Sequence, residues 1–129
     1  LKEHIRAAGM KKLKKFVVQQ HQRESEPTHW DLMLERDGIL ETYRVAEPPE
    51  EWGKRAIEAV KIFDHQLKFL SYEGSVNDGK GRVEIADCGT YRLIKKDKTQ
   101  QQISFAGKLL RVEYRLCLIK NDRWELRGF

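Results

Sequence analysis

The pair Asp37–Gly38 constrains this chain more than any other two residues. It closes a two-residue hairpin readily, because both positions accept the positive φ that such a turn demands. Just before it, residues 29–35 read His-Trp-Asp-Leu-Met-Leu-Glu. Polar His29 and Asp31 alternate with Trp30, Leu32 and Leu34, a period of two that fits a half-buried strand. Residues 39–45 supply the returning strand, and Pro48 and Pro49 stop it.

The same grammar recurs down the chain. Residues 16–20 form a short apolar run with a β-branched centre. Asn77-Asp78-Gly79 and Asn121-Asp122 are further turn signals. Strand-type segments fall at 81–86, 89–95, 102–105, 111–119 and 124–129, and apolar residues surround Asp64-His65 within 61–72. Residues 50–60, EEWGKRAIEAV, carry a helical reading that Gly53 weakens. The expected fold is mainly β: a small closed or nearly closed antiparallel β-barrel of about eight strands with one or two short helices. No repeat or Gly/Ser linker divides it. One domain is expected over residues 16–129, with residues 1–15 a basic, flexible arm carrying Lys11, Lys12, Lys14 and Lys15. Met10 reads as a natural start, with residues 1–9 a leader.

Composition narrows the function classes. The 129 residues hold 25 Lys and Arg against 20 Asp and Glu, a net charge of +5. That favours an anionic partner, nucleic acid before membrane. No apolar run approaches the roughly 20 residues of a spanning helix. Three Trp, four Tyr and five Phe argue against wholesale disorder. The first ten residues lack the apolar stretch of a secretory signal, so a cytoplasmic location is expected. Cys88 and Cys117 lie in alternating segments and read as reduced core thiols. Without a CxxC pair, a thiol zinc site is not expected. Tyr43, Trp52, Tyr91 and Trp124 read as core or rim aromatics, and Lys95, Lys96 and Lys98 as a solvated basic turn.

The chemistry-bearing residues cluster near the first hairpin. His29 and Asp31, two apart on a strand, share a face. A pairing of the first two strands brings His21 beside them. Two imidazoles and a carboxylate suit a divalent transition metal and leave positions open for water or a phosphate oxygen. The plainer alternative is a polar, solvated strand face. Met33 shares that face, which is therefore mixed, as a lined cleft would be.

Residues 16–40, FVVQQHQRESEPTHWDLMLERDGIL, resemble the opening of the 3'-phosphoesterase domain of bacterial DNA ligase D. The resemblance continues at Asp64-His65-Gln66-Leu67, at Tyr72-Glu73-Gly74, in GKGRVEIADCGTYRL and at Gly107-Lys108-Leu109. It covers residues 16–129 and identifies the chain as a stand-alone, divergent member. It implies a small β-barrel that trims 3' ends in DNA end repair, removing a terminal ribonucleoside and then the 3'-phosphate. It implies His21, His29 and Asp31 as metal ligands, His65 as the catalytic histidine at the phosphate, and Gln19 as a substrate-binding residue. The implied cofactor is a divalent transition metal, manganese first, with zinc or cobalt as alternatives. The implied partners are DNA or DNA/RNA 3' ends and a separately encoded ligase or polymerase, with no membrane and a monomeric chain.

Some positions depart from the family pattern. Met33 stands where the family has an arginine that grips phosphate, Glu47 where it has a lysine, and Phe69 where it has a tyrosine. The segment between His21 and His29 is two residues longer. The metal half is kept and the phosphate clamp is altered. Arg36, Arg44 and Arg55 are candidate substitutes for the arginine, and Tyr72 for the hydroxyl. Three readings follow: a metal-dependent 3'-end phosphoesterase, a weak or inactive nucleic-acid-end or metal-binding module of the same fold, and a divergent member acting on a less anionic substrate.

Overall fold

A computed structural model describes residues 13–128. Nine strands follow one another: β1 (Lys14–Arg23), β2 (Glu26–Arg36), β3 (Ile39–Val45), β4 (Ile57–His65), β5 (Gly74–Val76), β6 (Gly81–Lys96), β7 (Gln100–Ala106), β8 (Glu113–Lys120) and β9 (Arg123–Gly128). They run in the order β1-β2-β3-β4-β9-β8-β7-β6-β5, and β1 also pairs with β6. That second pairing closes eight antiparallel strands into a barrel, with β5 attached outside on β6. Of the expected basic arm, residues 1–12 lie outside the described residues, while Lys14 and Lys15 already belong to β1.

The expected helices are not α-helical. The described residues hold two single-turn 3-10 segments, Pro49–Glu51 and Leu67–Leu70, and no α-helix. Gly53, at φ +90, takes a left-handed conformation that a helix over residues 50–60 does not accept. From Ile57 the burial alternates instead of following a helical period, and β4 begins. The segments expected separately at 81–86 and 89–95 are one 16-residue strand. A register irregularity against β1, at Val18/Gln19, bends it around the barrel instead of ending it.

Alternation assigns the two faces of β1 and β2. Phe16, Val18, Leu32 and Leu34 enter the main core with Tyr43, Tyr91, Phe105 and Leu126. The opposite residues of the same strands face outward, yet they are also covered. Val17, Met33 and Leu40 form a second, smaller apolar cluster beneath Phe69, Leu70 and Ile85. The Leu67–Leu70 turn therefore roofs part of the barrel's outer face. Gln19 ties it down, donating its amide to the carbonyl oxygens of Phe69 (3.0 Å) and Tyr72 (3.1 Å).

Polar groups inside the barrel are paired. The Arg36 guanidinium donates to Glu41, Gln101 and Tyr91, and Tyr43 and Gln101 also donate to Glu41. On the other side, the buried carboxylate of Asp87 accepts four backbone N–H groups, from Cys88, Lys108, Leu109 and Leu110. Both cysteines are free, but neither is a core thiol: Cys88 is exposed and Cys117 half-buried. Both are strand residues on the side that faces away from the main core. Among the described residues no helix is long and apolar enough to cross a membrane.

Candidate functional site

The site is a set of cross-strand neighbours on the outer face. In the β1–β2 pair, His21 lies opposite His29 and Gln19 opposite Asp31. In the β2–β3 pair, Asp31 lies opposite Arg44 and Met33 opposite Thr42. The Asp37–Gly38 turn sets the second register, with φ +49 and +82 at its two residues. The residues between His21 and His29 do not make a long loop. They extend the hairpin to Arg23 opposite Glu26, and a register irregularity between His21 and Arg23 absorbs the mismatch.

Three donor atoms converge. His21 Nδ1 lies 3.1 Å from His29 Nε2 and 3.8 Å from Asp31 Oδ2, and His29 Nε2 lies 3.3 Å from Asp31 Oδ2. Among the described residues, these three make the one group of histidine, cysteine and carboxylate side chains close enough to hold a metal ion. The donor set fits a divalent ion. Metal bonds of ~2.0–2.1 Å at tetrahedral angles set neighbouring donor atoms about 3.3–3.4 Å apart. Facing lone pairs at 3.1 Å repel unless a proton or a cation lies between them. Asp31 Oδ1 and His21 Nε2 are also buried without a hydrogen-bond partner.

Asp31 is held as a carboxylate. Burial alone would raise its pKa, but hydrogen bonds from His21 and His29 and the charges of His29 and Arg44 outweigh it. The net effect places the carboxyl well below its ordinary range. Arg44 Nε stands 3.6 Å from Asp31 Oδ1, and it too is buried without a hydrogen-bond partner.

His65 ends β4 and borders the same cleft, a space of about 290 Å³ also lined by Gln19, His21, Asp31, Arg44 and Phe63. Its Nδ1 is 2.9 Å from the hydroxyl oxygen of Thr42. That hydroxyl is also 3.0 Å from the Leu40 carbonyl, which can only accept. A hydroxyl has one hydrogen. With that hydrogen on Leu40, Thr42 accepts from His65 Nδ1–H, and His65 Nε2 keeps its lone pair. Burial lowers the His65 pKa, despite the opposing pull of the Asp31 charge, so the ring is neutral near pH 7. Phe63 stacks on the imidazole, with centroids 4.8 Å apart and planes 26° apart, while Phe69 meets it edge-on at 5.6 Å.

The structure thus brings His21, Asp31, Gln19 and His65 to one cleft, and His29 meets His21 and Asp31 from the neighbouring position on the sheet. The amide nitrogen of Gln19 is committed to the roof above that cleft. Of the three candidate arginines, Arg44 alone is here. Arg36 is buried in the barrel interior, and Arg55 pairs with Glu47 and Glu51. Met33 is 1% exposed and sealed beneath the roof. Tyr72 gives its hydroxyl to the Ser75 carbonyl. A second cleft, of about 390 Å³, lies where Lys61, Lys96 and Lys98 meet Glu41 and Gln101, and it holds no histidine. Sequence reasoning missed Thr42 and Phe63. The hairpin count that pairs Met33 with Thr42 was available to find the first. Phe63 stands two residues before His65, hence on the same strand face.

Comparison with known proteins shows the family. The family model described as the DNA Ligase D 3'-phosphoesterase domain matches residues 19–118. The multifunctional non-homologous end joining protein LigD of Mycolicibacterium smegmatis is 36% identical over 84 residues, 63% of this chain. Its counterpart in Mycobacterium bovis is 30% identical over 117 residues, 84% of this chain. That of Pseudomonas aeruginosa is 30% identical over 124 residues, 90% of this chain. The aligned segment is 11%, 15% and 14% of those three relatives.

Proposed function

This chain belongs to the family of DNA ligase D 3'-phosphoesterase domains, and on that premise we propose that it is a divalent-metal-dependent phosphoesterase of nucleic-acid 3' ends, acting in DNA end joining. The observation that carries the reading is the convergence of His21 Nδ1, His29 Nε2 and Asp31 Oδ2 within 3.1–3.8 Å, with His21 and Asp31 lining the same cleft as His65. His21, His29 and Asp31 would hold the ion, manganese first and zinc or cobalt as alternatives. When bound it supplies Lewis-acid charge to a phosphate oxygen.

The chain's own residues do the rest. Arg44 is a fixed cation at the wall of the cleft, and it opposes charge that builds on the phosphate oxygens during the reaction. It takes the place of the arginine that the family carries at position 33. His65 Nε2, with its lone pair available, receives a proton from the attacking water as the new P–O bond forms. The old P–O bond breaks on the opposite side of phosphorus, where the departing oxygen takes its proton from solvent. Thr42 orients the ring for the first of these transfers. Gln19 acts indirectly, by fixing the roof that shapes the cleft.

The substrate class is a DNA or DNA/RNA strand bearing a 3'-phosphate or a terminal ribonucleotide. A DNA ligase would use the 3'-hydroxyl product. The test is incubation with manganese and a recessed primer ending in a 3'-phosphate, with phosphate release as the readout. The reading expects release that EDTA abolishes. A second reading, a binding module without turnover, is favoured by one feature: Phe69 presents no hydroxyl beside His65. Tight, salt-sensitive primer binding with no release would establish it in place of the first.

A further inference from the structure

Phe63 is the most exposed large hydrophobic residue among those described, at 70%, and the one aromatic among them. It is not on a featureless surface. It lines the cleft that holds His65, Asp31 and Arg44. One face of its ring is covered by the His65 imidazole, stacked at 4.8 Å and 26°. No other aromatic ring packs against it among the described residues. The cleft is also mixed in character: His21, Asp31 and Arg44 line it together with Phe63, Phe69 and Val83. A bare phosphate needs only the polar side chains.

We propose that the free face of Phe63 is a stacking platform for the terminal nucleobase of the 3' end, so that this site binds a nucleotide rather than only a phosphate. The inference rests on the phosphoesterase reading for its substrate class, and adds to it the recognition of the last base. A strand end whose phosphate reaches Arg44 carries its sugar and base across the adjoining wall. A purine or pyrimidine on Phe63 would continue the Phe63–His65 stack as a third planar ring. Such stacking tolerates any base, because every base offers a π-face.

The experiment uses two primers ending in a non-hydrolysable 3'-phosphonate, one with a normal terminal base and one with an abasic sugar there. Their dissociation constants are measured by fluorescence anisotropy, with manganese, for the full chain, Phe63→Ala and Phe63→Trp. The expected result is about tenfold tighter binding of the base-bearing primer by the unaltered protein, from the worth of one base–aromatic stack. The preference should collapse to near unity in Phe63→Ala and return in Phe63→Trp. Equal affinities in the unaltered protein, a preference that survives Phe63→Ala, or binding of neither primer would overturn the inference. Phosphate release from a hydrolysable abasic primer is scored separately. Release without a base preference would leave the phosphoesterase reading standing and remove only the platform.

Discussion

Arg44 and Asp31 are direct cross-strand partners, with the arginine Nε 3.6 Å from Asp31 Oδ1. This places a guanidinium at the cleft, whereas position 33 holds a buried methionine. Arg44→Ala should lower kcat/KM for 3'-phosphate release by about 10²–10³-fold, the usual cost of one preorganised charge donor. Manganese stoichiometry should stay at one, and Arg44→Lys should recover part of the loss. Activity within threefold of the unaltered protein in Arg44→Ala would remove the arginine from the mechanism.

Thr42 acts through His65. Thr42→Val keeps the shape but removes the oxygen that accepts His65 Nδ1–H. The imidazole then loses its fixed tautomer, and kcat should fall about tenfold with KM little changed. Thr42→Ser should restore it. An unaltered kcat in Thr42→Val would show that the tautomer is set elsewhere.

Met33 is packing rather than clamp. It is fully buried with Val17 and Leu40 under Phe69 and Leu70. Met33→Ala should destabilise the fold by about 2–4 kcal/mol, read from urea unfolding. Well below the unfolding temperature, the KM for a 3'-phosphate primer should stay within a few-fold. A large rise in KM with no loss of stability would put position 33 back in contact with substrate.

Glu41 makes stability depend on pH. Burial raises its pKa, but the Arg36 charge and hydrogen bonds from Tyr43 and Gln101 outweigh that and lower it from the ordinary 4.5. The unfolded chain therefore binds more protons in the window below 4.5. Glu41 contributes fully above pH 4.5, and its contribution fades as pH falls through the lower folded-state value. Glu41→Gln should cost roughly 3 kcal/mol at neutral pH by leaving the buried Arg36 charge without its carboxylate. Its stability should converge on that of the unaltered protein in acid. Parallel stability curves for the two proteins across that window would contradict the assignment.

Much of this was legible in the sequence, and the reasons differ by element. Counting outward from Asp37–Gly38 pairs Arg36 with Ile39, and therefore Asp31 with Arg44, so the tight turn already chose Arg44 over Arg36 and Arg55. The alternation of residues 29–35 put His29 and Asp31 on one face, as found. What the sequence could not show was the covering of that face. Met33 looks cleft-lining by periodicity, and is buried only because Gln19 binds the carbonyls of Phe69 and Tyr72, 50 and 53 residues away. Residues 50–60 read as a helix by composition, whereas the barrel needs Ile57 and Ala59 as strand residues facing its core. The single strand β6 looked like two because its middle carries Gly89 and meets a register irregularity rather than a turn.

The most direct test follows phosphate release from a recessed 3'-phosphate primer as manganese is titrated, for the unaltered chain and for Asp31→Asn side by side. The account predicts saturable, manganese-dependent release in the unaltered chain. It predicts a loss of at least about 10²-fold in Asp31→Asn, which keeps the shape but removes the carboxylate charge between His29 and Arg44. Equal release by both proteins across the titration would contradict it, because the three converging donor atoms would then have no part in the reaction.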